Sequence, residues 1–149
     1  MAISIAEAHQ LGIIFSGVMP LPPGINQSYK VVCVPVRRRI VHRIGPTPEL
    51  EQFKQEAAYT LKKSYLDKAT LQIVQTARKK TPLVVTLTFF FSTLWKRDVD
   101  GGIKAAMDAA FKHIGLNDNL VVEVNTKKRV DADNPRCEIV VMLVSEAVA

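Results

Sequence analysis

Residues 82–115 read PLVVTLTFFFSTLWKRDVDGGIKAAMDAAFKHIG, and the fold turns on them. Alternation comes first. Leu83, Val85, Leu87, Phe89 and Phe91 fall on one face of a strand, and Val84, Thr86, Thr88 and Phe90 fall on the other. Both faces are apolar enough to predict a central strand covered on both sides. After a short polar break the period changes. Ile103, Met107, Ala110, Phe111 and Ile114 make one apolar stripe at helical spacing, so a helix is expected over about 99–114, with Gly115 as its C-terminal cap. A buried strand running into an amphipathic helix through Lys96-Arg97-Asp98-Val99-Asp100 places the densest polar cluster of the chain at a strand–helix corner.

Working outward, Thr47-Pro48-Glu49 has the residue types of a helix start: a hydroxyl N-cap, proline at the first helical position and an acid in the first turn. Leu50, Phe53, Ala57 and Leu61 continue it, to about Ala77 or to a break near Ser64 with a restart. Residues 11–19 read as a strand, and the proline-rich segment 20–29 as a stiff extended loop. Residues 30–44 read as two short strands, the body of a hairpin arm at about 28–45. Residues 120–128 and 136–144 read as two closing strands, joined as a hairpin around Asp131–Pro135. The order β, arm, α, β, α, β, β predicts a single α+β domain over residues 1–149, a mixed sheet with two main helices.

Composition narrows the function classes. The 149 residues carry 20 Lys+Arg and 14 Asp+Glu, a net charge of +6, with 48% hydrophobic residues. These values exclude disordered and low-complexity classes. In the first 46 residues the only acidic side chain is Glu7, while Lys30, Arg37, Arg38, Arg39 and Arg43 crowd the arm. A basic arm suits a polyanion, nucleic acid first. Two cysteines, Cys33 and Cys137, form neither a disulfide framework nor a zinc motif. No stretch is long and apolar enough to span a membrane, and the N-terminus lacks the basic start of a secretory signal, so a cytoplasmic location is expected.

At the corner, Asp98 and Asp100 stand two residues apart, so on extended backbone their carboxylates point to one side and can share a hard divalent cation. Read alone, Asp98 is better explained as a helix N-cap than as a metal ligand. Lys104 can pair with Asp100 or Asp108 at helical spacing, or can serve as a cation beside a phosphate. Asp118, in Asn117-Asp118-Asn119, reads locally as a turn residue.

Four features in order resemble the RusA family of Holliday-junction resolvases over roughly residues 20–145. They are Leu21-Pro-Pro-Gly-Ile-Asn26-Gln-Ser-Tyr29; Thr47-Pro48 opening a helix; Arg97-Asp98-Val99-Asp100 with Lys104 and Asp108 behind it; and Asn117-Asp118-Asn119 before a valine-rich strand. The resemblance implies a dimeric, Mg²⁺-dependent endodeoxyribonuclease, with Mn²⁺ as an alternative ion, that binds four-way DNA junctions and cuts two symmetric strands. It implies that Asp98, Asp100 and Asp118 are catalytic metal ligands and that Lys104 is the catalytic lysine. Asn26, Lys30, Arg37, Arg38, Arg39, Lys96, Arg97, Lys127 and Lys128 are the expected DNA contacts.

Two departures stand out. Gly101 and Gly102 follow the paired aspartates where the family pattern has Asn, and Asn117 stands where a second Asp is common. Asp131-Ala-Asp133-Asn134 matches the paired-aspartate pattern more literally, but without a following helix or lysine it reads as a turn. A helix over 99–114 also sets a geometric problem: at about 1.5 Å per residue it is roughly 24 Å long, Asp98 and Asp118 lie near its opposite ends, and the residues after Gly115 reach back at most about 14 Å. A shorter helix, a returning loop, or Asp118 supplied by a second subunit would each resolve it. The alternative function is a nucleic-acid-binding module without catalysis, in which Asp98 caps the helix.

Overall fold

The computed structural model describes residues 4–95 and 97–144. A capped turn of helix, α1 (Ile5–Gln10), leads into strand β1 (Ile13–Met19). A proline-rich segment and the one-turn helix α2 (Ile25–Ser28) follow. Strands β2 (Tyr29–Val36) and β3 (Arg39–Pro46) then form a hairpin of their own, in register from Tyr29↔Pro46 to Val36↔Arg39. Arg37 takes a positive φ of 49° at its tip. The arm is therefore a two-stranded ribbon separate from the main sheet.

Helix α3 (Pro48–Thr60) starts where its sequence says it should. The Thr47 hydroxyl accepts the Leu50 amide, and proline occupies the first turn, where its missing N–H costs nothing. The helix ends near Ser64, and after the two-residue strand β4 (Tyr65–Leu66) a new helix, α4 (Lys68–Thr76), opens on an Asp67 cap. Of the two alternatives read from the sequence, the break is the one that forms.

Strand β5 (Leu83–Phe91), helix α5 (Ile103–Ile114) and strand β6 (Val121–Val130) make a β-α-β unit. β5 and β6 run parallel, from Leu83↔Val121 to Phe91↔Val130. Strand β7 (Arg136–Leu143) completes a mixed five-stranded sheet of order β4-β1-β7-β5-β6. The fold is α+β, as expected.

Three expectations are corrected. First, residues 131–135 do not close a hairpin. β5 lies between β6 and β7, and β7 pairs antiparallel with both β1 and β5. Burial explains the choice. β7 carries Cys137, Ile139 and Val141, all fully buried, whereas β6 is polar and exposed along most of its length and takes the edge. Second, the central strand is not buried on both faces. Leu83, Val85, Leu87, Phe89 and Phe91 join the core with Leu50, Phe53, Ala57 and Phe111 from the helices, while Val84, Thr86, Thr88 and Phe90 stay half-buried on the opposite face. Third, α5 begins at Ile103, with Gly102 as its N-cap, so Asp98 caps nothing. Its C-terminus falls at Gly115 in the left-handed conformation, φ 70°, as the sequence implied.

The two thiols are free and differ in environment. Cys33 is exposed on the arm; Cys137 is buried in β7, where desolvation pushes its pKa up to about 12. Native protein is expected to titrate one thiol quickly with a disulfide reagent at neutral pH and the second only on unfolding. Two fast thiols would mean that β7 is not a central strand.

Candidate active site

The segment before the arm is tied down by its own side chains. Ser28, buried, donates its hydroxyl to the Gly24 carbonyl at 2.8 Å, and the Thr47 hydroxyl donates to the Gln27 carbonyl. The backbone amide of Thr47 also reaches the Ser28 carbonyl at 2.9 Å. Thr47 thus joins the start of α3 to α2, and α2 is held facing the loop between β5 and α5.

Between them opens a polar cavity of about 730 Å³. Gly24, Asn26, Gln27, Arg97, Asp98, Asp100 and Gly101 line it. Four of the predicted site residues, Asn26, Arg97, Asp98 and Asp100, thus meet in one place although they come from segments far apart in the chain. Gln27 joins them unpredicted; its position next to Asn26 was the only signal available.

Of the two glycines, Gly102 has a packing reason. A Cβ on Gly102 would stand 2.5 Å from Pro22 Cγ and 3.3 Å from Phe89 Cε1, so the proline segment lies directly on the start of α5. At Gly101 a Cβ would meet only ordinary contacts, 3.7 Å from Gly24 Cα. Gly102→Ala is therefore expected to cost about 1–3 kcal/mol and to displace the Asn26 segment. Gly101→Asn, which restores the residue of the family pattern, should fold with little change. Thermal melts of the two variants check this; equal melting points would show that Pro22 yields freely.

Arg97 is the cation of the cavity. Its guanidinium lies 5.7 Å from the Phe91 ring and has no carboxylate partner among the described residues. Burial lowers its pKa, yet an arginine remains charged at neutral pH. A half-buried, unpaired guanidinium is a ready phosphate ligand.

Lys104 sits in the first turn of α5 but pairs along the helix, its Nζ 3.3 Å from Asp108 Oδ2. The Asp108 carboxylate, aided by Tyr29 and Asp118, holds its ammonium above the usual lysine range. Of the two ion-pair partners the sequence offered, Asp108 is the one used. Asp118 stands outside the cavity. It opens a single 3-10 turn (Asp118–Leu120) and lines a shallow cleft with Asp108, Lys112 and Leu116. It is still near enough for its charge to act on Lys104. The shorter helix, 12 residues and about 18 Å, lessens the separation that the sequence predicted. Even so, no three His, Cys, Asp or Glu side chains among the described residues come together as a metal-holding group.

The remaining positions lie on two surfaces. Lys30, Arg37, Arg38 and Arg39 are on the exposed ribbon. Lys127 and Lys128 are on edge strand β6, where Lys128 Nζ lies 5.9 Å from the same Phe91 ring that Arg97 covers. Lys96 lies outside the described residues. The Asp131–Asn134 segment is a turn: Asp131 pairs with Arg136 at 2.7 Å and accepts the Asn134 amide at 3.2 Å. A separate cavity of about 550 Å³ beside β1, lined by Tyr59, Lys63, Tyr65 and Arg136 among others, holds none of the predicted residues.

Comparison with known proteins identifies the family. The model of the family described as Endodeoxyribonuclease RusA matches residues 32–142. The chain belongs to the RusA family. The match covers the arm from Val32 onward, the β-α-β unit, Asp98, Asp100, Lys104 and Asp118, and leaves out Lys30. It starts after Asn26, so the structure rather than the family match places that residue beside the aspartates. No curated protein matches the chain. Among solved structures, a chain titled "Dihydroxyacetone kinase operon co-activator Dha-DhaQ" aligns at 15% identity with a TM-score of 0.43, over 98% of this chain and 46% of that one. This chain thus spans about half the length of that structure. No helix among the described residues is long and apolar enough to cross a membrane.

Proposed function

We propose that this RusA-family protein is a Mg²⁺-dependent, structure-selective endodeoxyribonuclease that acts as a homodimer and resolves four-way DNA junctions by paired phosphodiester hydrolysis. The observation that carries the reading is the meeting of Asp98, Asp100, Arg97 and Asn26 in one open polar cavity of a chain from an endodeoxyribonuclease family.

The donor set suits the ion. Mg²⁺ takes one or two carboxylates and fills its other positions with water and phosphate oxygens. Two carboxylates facing a phosphodiester would otherwise put three negative charges in one cavity. Asp98 and Asp100 would hold the ion; when bound, it supplies a Lewis acid to the scissile phosphate and lowers the pKa of coordinated water. Arg97 grips a non-bridging phosphate oxygen, and Asn26 orients the strand by hydrogen bonding. Lys104, an ammonium at neutral pH as any exposed lysine is, acts as a cation that offsets charge on the phosphate and leaving oxygen, not as a base. The ribbon arginines with Lys30, Lys127 and Lys128 hold neighbouring phosphates.

A synthetic four-way junction incubated with Mg²⁺, against linear duplex of the same sequence, tests the proposal. Symmetric nicks confined to the junction support it. Tight binding without nicking would select the binding module.

Asp118 enters as a third carboxylate from a second copy, across the two-fold axis that a junction with two equivalent scissile strands requires. Mixing Asp98→Asn with Asp118→Asn protein is expected to restore cleavage in heterodimers. No recovery at any ratio would place Asp118 in the active site of its own chain.

A further inference from the structure

Tryptophan is large and mostly apolar, and a chain gains by burying it. The single Trp of this protein, Trp95, is 90% exposed. It stands in the turn between β5 and the paired aspartates, three residues before Asp98, with the neighbouring Leu94 also exposed. The base of that turn is fixed. Arg97, two residues on, packs at 5.7 Å over the ring of Phe91, the last residue of β5, and Lys128 approaches the same ring at 5.9 Å. Two cations therefore flank the foot of the turn. Arg97, Asp98 and Asp100 of the same segment line the cavity, and two residues before Arg97 an indole faces solvent. Cations for the backbone beside an aromatic plane for a base are the two components of single-strand recognition.

We propose that Trp95 stacks on a base of the bound DNA at the rim of the active-site cavity and so selects substrates with accessible base faces. This rests on the nuclease reading above. A continuous duplex hides its base faces between neighbouring pairs, and the indole finds no partner there. At the exchange point of a four-way junction the stack is interrupted, and a base next to the scissile phosphate can be covered by the indole while Arg97 holds the phosphate. Trp95 then positions the strand rather than touching the reacting atoms.

Because the chain has one tryptophan, its fluorescence reports on this contact directly. In the absence of divalent cation, free protein should show solvent-exposed emission that acrylamide quenches readily. A synthetic four-way junction should quench the emission and shield what remains from acrylamide, whereas an equal concentration of linear duplex should do neither. Trp95→Ala should weaken junction binding on the order of tenfold, the scale of one base–aromatic stack, and Trp95→Phe should recover most of it. Junction binding by wild-type protein with emission unchanged, or equal junction affinity in Trp95→Ala, overturns the inference alone. Emission already shielded in the free protein, and deepening with protein concentration, overturns it by placing the indole between two copies of the chain. A wild-type protein that neither prefers nor cuts the junction overturns the nuclease reading, and this inference with it.

Discussion

Asp100→Asn is expected to lower the single-turnover rate of junction cleavage in Mg²⁺ on the order of 10³-fold while leaving junction binding intact. The amide has the shape of the carboxylate, so the cavity shared with Asn26 and Arg97 keeps its form. The substitution removes one negative charge and one strong ligand for a hard cation, which prefers carboxylate oxygen. Losing one preorganised charge-stabilising group typically costs 10²–10³-fold, roughly 3–4 kcal/mol of transition-state stabilisation. Among the described residues of one chain Asp98 is then the one carboxylate left lining the cavity, and an Asp118 from a second copy would not replace the lost ligand. Binding in metal-free buffer should move the other way, if at all, because a phosphate approaching the cavity meets one fewer negative charge. Rates within threefold of wild type would show that Asp100 does not hold the ion. Equal losses of binding and cleavage would show that the side chain supports the loop instead.

This site was legible in part because its chemistry is local. Asp98 and Asp100 lie two residues apart on one short loop, and the alternation of Leu83 to Phe91 sets where that loop begins. Thr47 and Gly115 marked helix ends because capping is a short-range hydrogen-bonding problem. What stayed hidden depends on neighbours distant in sequence. The start of α5 looked like an Asp98 cap, but Pro22 packs on Gly102 and the helix begins there. The order of the last two strands was misread because adjacency in sequence predicts pairing only on average. Here the apolar β7 displaces the polar β6 from the centre. Asn26 was expected as a DNA contact from its place after the proline pair, but nothing local set it beside Asp98 and Asp100. It belongs to the site because Thr47 and Ser28 tie its segment in place, a tertiary fact.

The second large effect lies beneath the site. Phe89→Ala is expected to destabilise the protein by about 3–5 kcal/mol. The ring is 1% exposed in the middle strand of the β7-β5-β6 run, stacks on Phe91 with centroids 6.1 Å apart, and faces the α5 start, where its edge would lie 3.3 Å from a Gly102 Cβ. Truncation loses the transfer energy of the ring and leaves a void that β5, held by ladders on both sides, cannot close. Out of a total stability of about 5–15 kcal/mol, that is a melting point lowered by roughly 10 °C or more. The consequence reaches the chemistry, because Phe89 and Pro22 together fix Gly102 and Phe91 carries Arg97. Cleavage by Phe89→Ala should therefore fall even at temperatures where circular dichroism shows it folded. Phe89→Leu, which keeps much of the volume, should lose less than about 1.5 kcal/mol and retain most activity. Calorimetry and single-turnover rates on the pair separate the two effects. A Phe89→Ala protein that melts within 2–3 °C of wild type would mean that the strand is not the rigid floor on which the Asp98–Asp100 loop is mounted.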